Sequence, residues 1–257
     1  MQHLYARGSM FEVIQMPAGS YSKETTPGAV PYEGVTTECE VGYYCPPGSF
    51  EMIACPTGYF RDNVLGNDAD SCGLCPAGTY CPTEGMSVPT ICTFGHFCPE
   101  GSANAQPCPR GTYNDIEGLY DSRGCKACSA GYYCPFMGQV AVDTVNHECD
   151  AGYYCIEGSS RPEPTDETTG SRCPPGGFCL KGGSTPQSCS AGEYGPYVGA
   201  QTADDCIDCK PGFYCIGADS ADATSLCKEG YYCSGGTINY LPDADSTYTI
   251  NTQAGIA

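Results

Sequence analysis

The residues with most chemistry to offer in this chain are its 22 cysteines. Three pairs have the spacing of a zinc-binding or thiol-exchange motif: Cys72 with Cys75, Cys125 with Cys128, and Cys206 with Cys209. Thiolates so placed can chelate a metal or attack a substrate disulfide. The histidines that could complete a metal site are His3, His96 and His147, and they follow no ligand spacing. Oxygen ligands for calcium could come from Asn67-Asp68-Ala69-Asp70 and Asp204-Asp205, although neither has the alternation of a full calcium loop. No Gly-x-Ser-x-Gly elbow, phosphate loop or His-Glu-x-x-His is present. No catalytic, cofactor-binding or metal residue stands out, and the chain reads as a protein that is not an enzyme.

The whole cysteine pattern gives these pairs another meaning. From Cys39 the intervals to Cys45, Cys55, Cys72, Cys75 and Cys81 are 6, 10, 17, 3 and 6 residues. The same five intervals run from Cys92 through Cys98, Cys108, Cys125 and Cys128 to Cys134, and from Cys173 through Cys179, Cys189, Cys206 and Cys209 to Cys215. Two further pairs, Cys149 with Cys155 and Cys227 with Cys233, keep the six-residue interval. Each Cys-x-x-Cys is then the last residue of one unit beside the first residue of the next, so neither metal nor redox chemistry is needed to explain it.

Eleven units open with Cys-x-x-Gly-x-aromatic; eight close with a cysteine at the sixth position after the first, three at the seventeenth. A tight reversal at positive φ would require that glycine, because only Gly adopts it without a Cβ penalty. The aromatic residues run Tyr44, Phe60, Tyr80, Phe97, Tyr113, Tyr133, Tyr154, Phe178, Tyr194, Tyr214 and Tyr232. Leu, Ile, Val and Phe make up under a sixth of the chain, so these rings are expected to be its main apolar cover, each lying against a neighbouring unit's disulfide.

Cysteine connectivity is normally open in a sequence, but two imperfect copies bear on it. Met16-Pro17-Ala18-Gly19-Ser20-Tyr21-Ser22 is a short unit in which both cysteine positions are replaced together. Pro242 to Tyr248 resembles the opening of a long unit, with Asp243 in place of its first cysteine. Joint loss favours pairing inside each unit: seven-residue rings for the short units and eighteen-residue rings for the long ones. Loop-closure entropy assigns roughly 2–3 kcal/mol to such a ring. A longer period of 133 to 135 residues relates positions 16, 39 and 92 to 149, 173 and 227, nearly two copies of a larger element.

The fold class expected is small disulfide-rich repeats stacked into an elongated rod of short hairpins and loops, with little regular secondary structure and each ring touching only its neighbours. The segments are 1–38, with the imperfect unit; cysteine-rich blocks 39–91 and 92–148; a single unit and linker, 149–172; a third block, 173–226; and 227–257, with the last short unit and an incomplete one. So many cysteines imply an oxidising compartment. Met1 to Gln15 has no signal-peptide core and no segment is long and apolar enough for a membrane span, which suggests a mature or excerpted secreted chain. A formal charge of −19 without any Lys/Arg cluster argues against nucleic acid or an anionic membrane as partner. No Asn-x-Ser/Thr acceptor is present, whereas Ser22 to Thr37 and Ser159 to Ser171 have the Thr, Ser and Pro content of spacers carrying O-linked sugars.

The recurring Cys-Pro-Ala-Gly-Thr-Tyr-Cys and Cys-x-x-Gly-Tyr-Tyr-Cys motifs, over about residues 39 to 233, resemble the ephrin-receptor-like cysteine-rich repeats abundant in surface proteins of single-celled eukaryotes. The long units also resemble the opening module of tumour-necrosis-factor-receptor-type repeats. Met16, Ser22 and Asp243 depart from that pattern at the ends. The resemblance implies an extracellular, modular and non-enzymatic protein. The leading expectation is a structural subunit of an extracellular filament, coat or appendage; the other is a spacer or ligand-binding ectodomain of a cell-surface receptor. For the former, chains are expected to associate head to tail, the incomplete unit opening at Asp243 being completed by Met1 to Gln15 with its β-prone Phe11-Glu12-Val13-Ile14.

Overall fold

The structure, a computed structural model, describes residues 4–7, 12–22, 36–217, 220–223 and 225–239. Among these there is no α-helix; the strands pair only two by two, as short antiparallel hairpins. Packing divides the chain into two compact units, Met1–Cys108 with Asn114–Cys125, and Pro109–Tyr113 with Lys126–Ala257.

Disulfides close each repeat on itself. In the first compact unit Cys39 joins Cys45, Cys55 joins Cys72, Cys75 joins Cys81, Cys92 joins Cys98 and Cys108 joins Cys125. In the second, Cys128 joins Cys134, Cys149 joins Cys155, Cys173 joins Cys179, Cys189 joins Cys206, Cys209 joins Cys215 and Cys227 joins Cys233. All but Cys125, Cys206 and Cys227 are buried, so sulfur takes the place that aliphatic side chains hold in an ordinary core. The residues just before and at the aromatic position form one strand, and the two residues before the next unit's first cysteine form the other: Thr79–Tyr80 pairs with Thr90–Ile91, and Phe213–Tyr214 with Ser225–Leu226.

The aromatic residues cover this sulfur core unevenly. Tyr21 packs with Cys39 and Cys45, and Tyr194 with Cys209 and Cys215, in each case the disulfide of the following unit. Most of the others are half-buried, and Tyr232 is 53% exposed, so it covers little.

Within each compact unit a backbone lattice joins successive rings. The Gly78 N–H donates to the Cys98 carbonyl at 2.8 Å, and the Gly78 carbonyl accepts from the Cys92 N–H at 2.9 Å. The Cys81 N–H donates to the Ser102 carbonyl and the Gly101 N–H to the Cys75 carbonyl, at 2.9 and 2.8 Å. The same four bonds recur in the second compact unit, with Gly152, Cys155 and Cys149 facing Cys179, Cys173, Gly183 and Gly182. Gly101 and Gly182 belong to a second set of left-handed glycines, nine or ten residues after a unit's first cysteine.

The lattice also reaches further than a chain of neighbours. A Cβ on Gly78, whose φ is +85°, would lie 2.5 Å from the carbonyl oxygen of Gly118, in the ring after next. A Cβ on Gly152, also at +85°, would lie 2.7 Å from that of Gly199, again two rings on. The expectation that each ring touches only its neighbours is therefore corrected: a second glycine slides its carbonyl over the ring glycine two units earlier, and no side chain fits between.

Two positions show how far the lattice dictates conformation. Met16 to Ser22 has no cystine, yet Gly19 donates to Cys45 and accepts from Cys39, both at 2.9 Å, while Met16 is buried and accepts from Gly48. Leu65 occupies the second-glycine slot of the ring that opens at Cys55; its N–H bonds the Cys39 carbonyl and its φ is +63°. A leucine there is held in left-handed backbone that costs it roughly 1–2 kcal/mol.

Each long ring ends in one turn of 3-10 helix before its closing cysteine: Ala69–Ser71, Ser122–Gly124 and Ala203–Asp205. Asp68 caps the first through the Ser71 N–H and Asp121 the second through the Arg123 N–H. The Arg123 guanidinium also donates to the Asp121 carboxylate, and these bonds hold its pKa down to about 2. Asp143 is likewise lowered to about 2, first by the Asn146 side chain and then by the Asn146 and Val145 amides.

Three outcomes follow. Gly152→Ala places a Cβ against Gly199 in left-handed backbone, and should cost about 2–4 kcal/mol. Amide exchange should then lose protection at Gly152, Cys173 and Gly199 while rings 39–81 keep theirs; an equal loss across all rings would contradict the lattice. Leu65→Gly should raise stability by about 0.5–1 kcal/mol, the relieved strain exceeding the added chain entropy, and a lowered denaturation midpoint would contradict that. Because the folded pKa values of Asp121 and Asp143 are depressed, their contribution is fully present above the ordinary carboxylate range and is lost progressively as pH falls from there through about 2. The Arg123 and Asn146 amide shifts should titrate with midpoints near 2, not near 4.

Candidate functional site

The paired thiols turn out to be spent in rings. Cys72 is bonded to Cys55 and its neighbour Cys75 to Cys81, and the same holds for Cys125 with Cys108, Cys128 with Cys134, Cys206 with Cys189, and Cys209 with Cys215. A disulfide sulfur has no thiolate to offer a metal or an incoming substrate. No free cysteine is found among the described residues.

Histidine is engaged structurally. His96 Nδ1 lies 2.9 Å from the Phe94 carbonyl oxygen, and the His147 ring sits 4.9 Å from Tyr133 and 5.8 Å from Phe136. His3 lies outside the described residues.

The acidic clusters serve the local turns. Asp205 accepts the Gln201 and Thr202 N–H groups at 2.6 and 3.0 Å, and those two amides lower its pKa. Asp68 accepts both the Ser71 N–H and hydroxyl. Among the described residues no three His, Cys, Asp or Glu side chains converge in a metal-ligating group.

The sixth position of the long rings, where short rings place a cysteine, is filled in three other ways. Asn114 is fully buried, its amide donating to the His96 and Ile116 carbonyls while its Oδ1 accepts the Ile116 N–H. Arg61 donates to the Ser71 and Val64 carbonyls. Gly195 leaves little space: a Cβ would lie 3.1 Å from Cys189 Sγ. Sequence reading assigned these residues nothing, and their only signal was that each stands where a cystine would otherwise be. The second glycines were missed as well, although Cys98-Pro99-Glu100-Gly101-Ser102 and Cys155-Ile156-Glu157-Gly158-Ser159 share a visible pattern.

What remains is surface. In the second compact unit the loop after Cys134 exposes Phe136, Met137 and Val145 by 59% or more. Of the linker Ser159 to Ser171, the residues up to Thr169 lie in the loop of the hairpin Tyr153–Cys155 with Gly170–Arg172, and Gly170 and Ser171 belong to its second strand. The head-to-tail expectation falls largely outside the described residues, which exclude 240–257; in the N-terminal segment Glu12–Gln15 pairs with Leu4–Arg7 of the same chain. No described helix is long and apolar enough to cross a membrane.

No family model matches the chain. It is 29% identical over 197 residues to Cysteine repeat modular protein A of Toxoplasma gondii, covering 60% of this chain and 6% of that protein. It is 28% identical over 141 residues to Putative white-brown complex homolog protein 30 of Arabidopsis thaliana, covering 49% of this chain and 12% of the other. To mouse Thyroglobulin it is 28% identical over 116 residues, which is 43% of this chain and 4% of that one. The likeness thus spans a small part of each relative's length. Together with the eleven disulfides, it makes this chain a cysteine-rich repeat protein of the secreted or cell-surface type.

Proposed function

We propose that this chain is a non-enzymatic structural subunit of an extracellular coat, filament or appendage, built from repeats of the ephrin-receptor-like kind and self-associating in the assembled material. The observation that carries the reading is the lattice within each compact unit: successive rings are bonded through their backbones, and ring glycines such as Gly78 and Gly152 are covered by the ring after next. Cross-links of this density resist unfolding outside the cell, where no chaperone or reductant repairs a protein. Its acidity, 30 carboxylates against 11 basic side chains, keeps the surface hydrated. Sugars on the Thr-, Ser- and Pro-containing linkers fit the same setting, although 23–35 of the first linker lie outside the described residues.

A second reading, spacer or ligand-binding ectodomain of a cell-surface protein, draws support from the small share of each relative that the repeats occupy. Such a share is what a module within a longer chain would give. Electron microscopy of the native material separates the two: ordered filaments or sheets carrying this chain are expected, and single detached particles at every concentration would favour the ectodomain.

A further inference from the structure

We propose that the first compact unit carries a docking strip for a basic polypeptide segment, one in which apolar residues alternate with Lys or Arg. Three successive hairpins build the strip. Tyr43 faces Ala54, Tyr59 faces Leu74 and Thr79 faces Ile91, and directly opposed residues of an antiparallel pair turn their side chains to the same side. From each pair one side chain lies over a left-handed second glycine. The Tyr43 ring covers Gly85, Leu74 covers Gly101 and Ile91 covers Gly118, at 3.0, 2.9 and 3.9 Å from where a Cβ would stand. Leu74 stays 45% and Ile91 51% exposed, and Tyr59 is exposed opposite Leu74.

The lattice does not require apolar residues at these places. In the second compact unit the side chains over the corresponding glycines are Glu148 at Gly182, Arg172 at Gly199 and Asp208 at Gly236. They stand in the same register as their counterparts, opposite Tyr132, Tyr153 and Glu193. Rings therefore stack with ionic side chains at this position, and the stacking does not depend on Leu74 or Ile91. Their exposed surface is apolar area that a partner can remove from water.

Charge selects the partner. Glu84, Glu100 and Glu117 immediately precede Gly85, Gly101 and Gly118, one Cα step of about 3.8 Å from each covered glycine, and all three are exposed. No described basic side chain pairs with them. From Thr36 to Cys108 the only Lys or Arg is Arg61, whose guanidinium donates to the Ser71 and Val64 carbonyls, while Arg123 is paired with Asp121. In the second unit Lys181, Val198 and Gly235 precede the corresponding glycines, and Lys181 bridges Glu148 at 3.2 Å. Glu157 also precedes a second glycine, Gly158, but the side chain nearest that glycine is Thr169. An apolar row edged by one carboxylate per ring matches a segment that offers apolar and cationic side chains in alternation. A second copy of this chain does not, having a formal charge of −19 and no Lys/Arg cluster.

A short synthetic peptide alternating Lys and Val, titrated into the full chain at low salt, provides the test by calorimetry and by amide shifts. Shifts are expected at Gly85, Gly101 and Gly118, with binding weakened about threefold in Glu100→Gln and again in Glu117→Gln. Leu74→Ser should weaken it about tenfold while the Gly78 and Cys92 amides stay protected. A peptide alternating Gln and Val should bind about tenfold more weakly, and Glu163→Gln, in the second unit, should change nothing. Absence of binding, undiminished binding to the combined Leu74→Ser, Glu100→Gln and Glu117→Gln chain, or shifts confined to the second unit would overturn the strip. Sedimentation in which the chain dimerises by itself and Leu74→Ser does not would give the row to a second copy and overturn it equally. A coat subunit and an ectodomain can both dock a partner in this way, so failure of the strip leaves either reading standing.

Discussion

Two backbones meet over every well-packed ring glycine with no room for a side chain between them. At Gly78 the oxygen of Gly118 stands 2.5 Å from where a Cβ would be, and at Gly152 that of Gly199 stands at 2.7 Å. This contact demands glycine twice over, once for the steric gap and once for the left-handed φ that turns the N–H and C=O toward the next ring. From it follow the four-bond link between successive rings, the short length of every hairpin beyond the N-terminal one, and the need to put special residues elsewhere. The unit that holds together is thus a ring with both its successors.

Cystines then have a separate part. They fill the interior that leucine and isoleucine would fill elsewhere, and each removes roughly 2–3 kcal/mol of chain entropy from the unfolded state. They are not what shapes the turn, since Met16 to Ser22 takes up the same bonds without one and Leu65 accepts unfavourable φ to keep them. Where the long rings lack a cysteine at the sixth position, Asn114, Arg61 and Gly195 satisfy or vacate the slot by three unrelated means. The lattice tolerates any solution that leaves its backbone groups in place.

Short hairpins strung between cysteines were legible in the residue spacing, because a closing distance of six or seventeen residues leaves a chain little else to form. The left-handed ring glycine was legible too, as a residue type with one physical use in that setting. The second glycine was not, although it recurs nine or ten residues into a unit, because its partner lies two rings away and no local pattern names that distance. Acidic residues in the long rings could be read as calcium ligands only because caps and cation sites share the same side chains; Asp68 and Asp205 each turn one carboxylate oxygen to backbone amides. Function was less legible than fold. Among the described residues no metal-ligating group converges, and the setting, more than any one residue, indicates what the protein is for.

If backbone contacts set the conformation, then a ring copied from the cysteine-free unit should still fold in the middle of the array. Cys75→Met combined with Cys81→Ser makes that copy, and amide exchange at Gly78 and Cys92 reads it, since these two N–H groups bond the neighbouring ring and the ring glycine. Protection at both should persist, reduced by no more than the roughly 2–3 kcal/mol that one ring closure contributes. Exchange of residues 75–92 at unfolded-chain rates, with the flanking rings intact, would contradict the account and make the cystine the source of the fold.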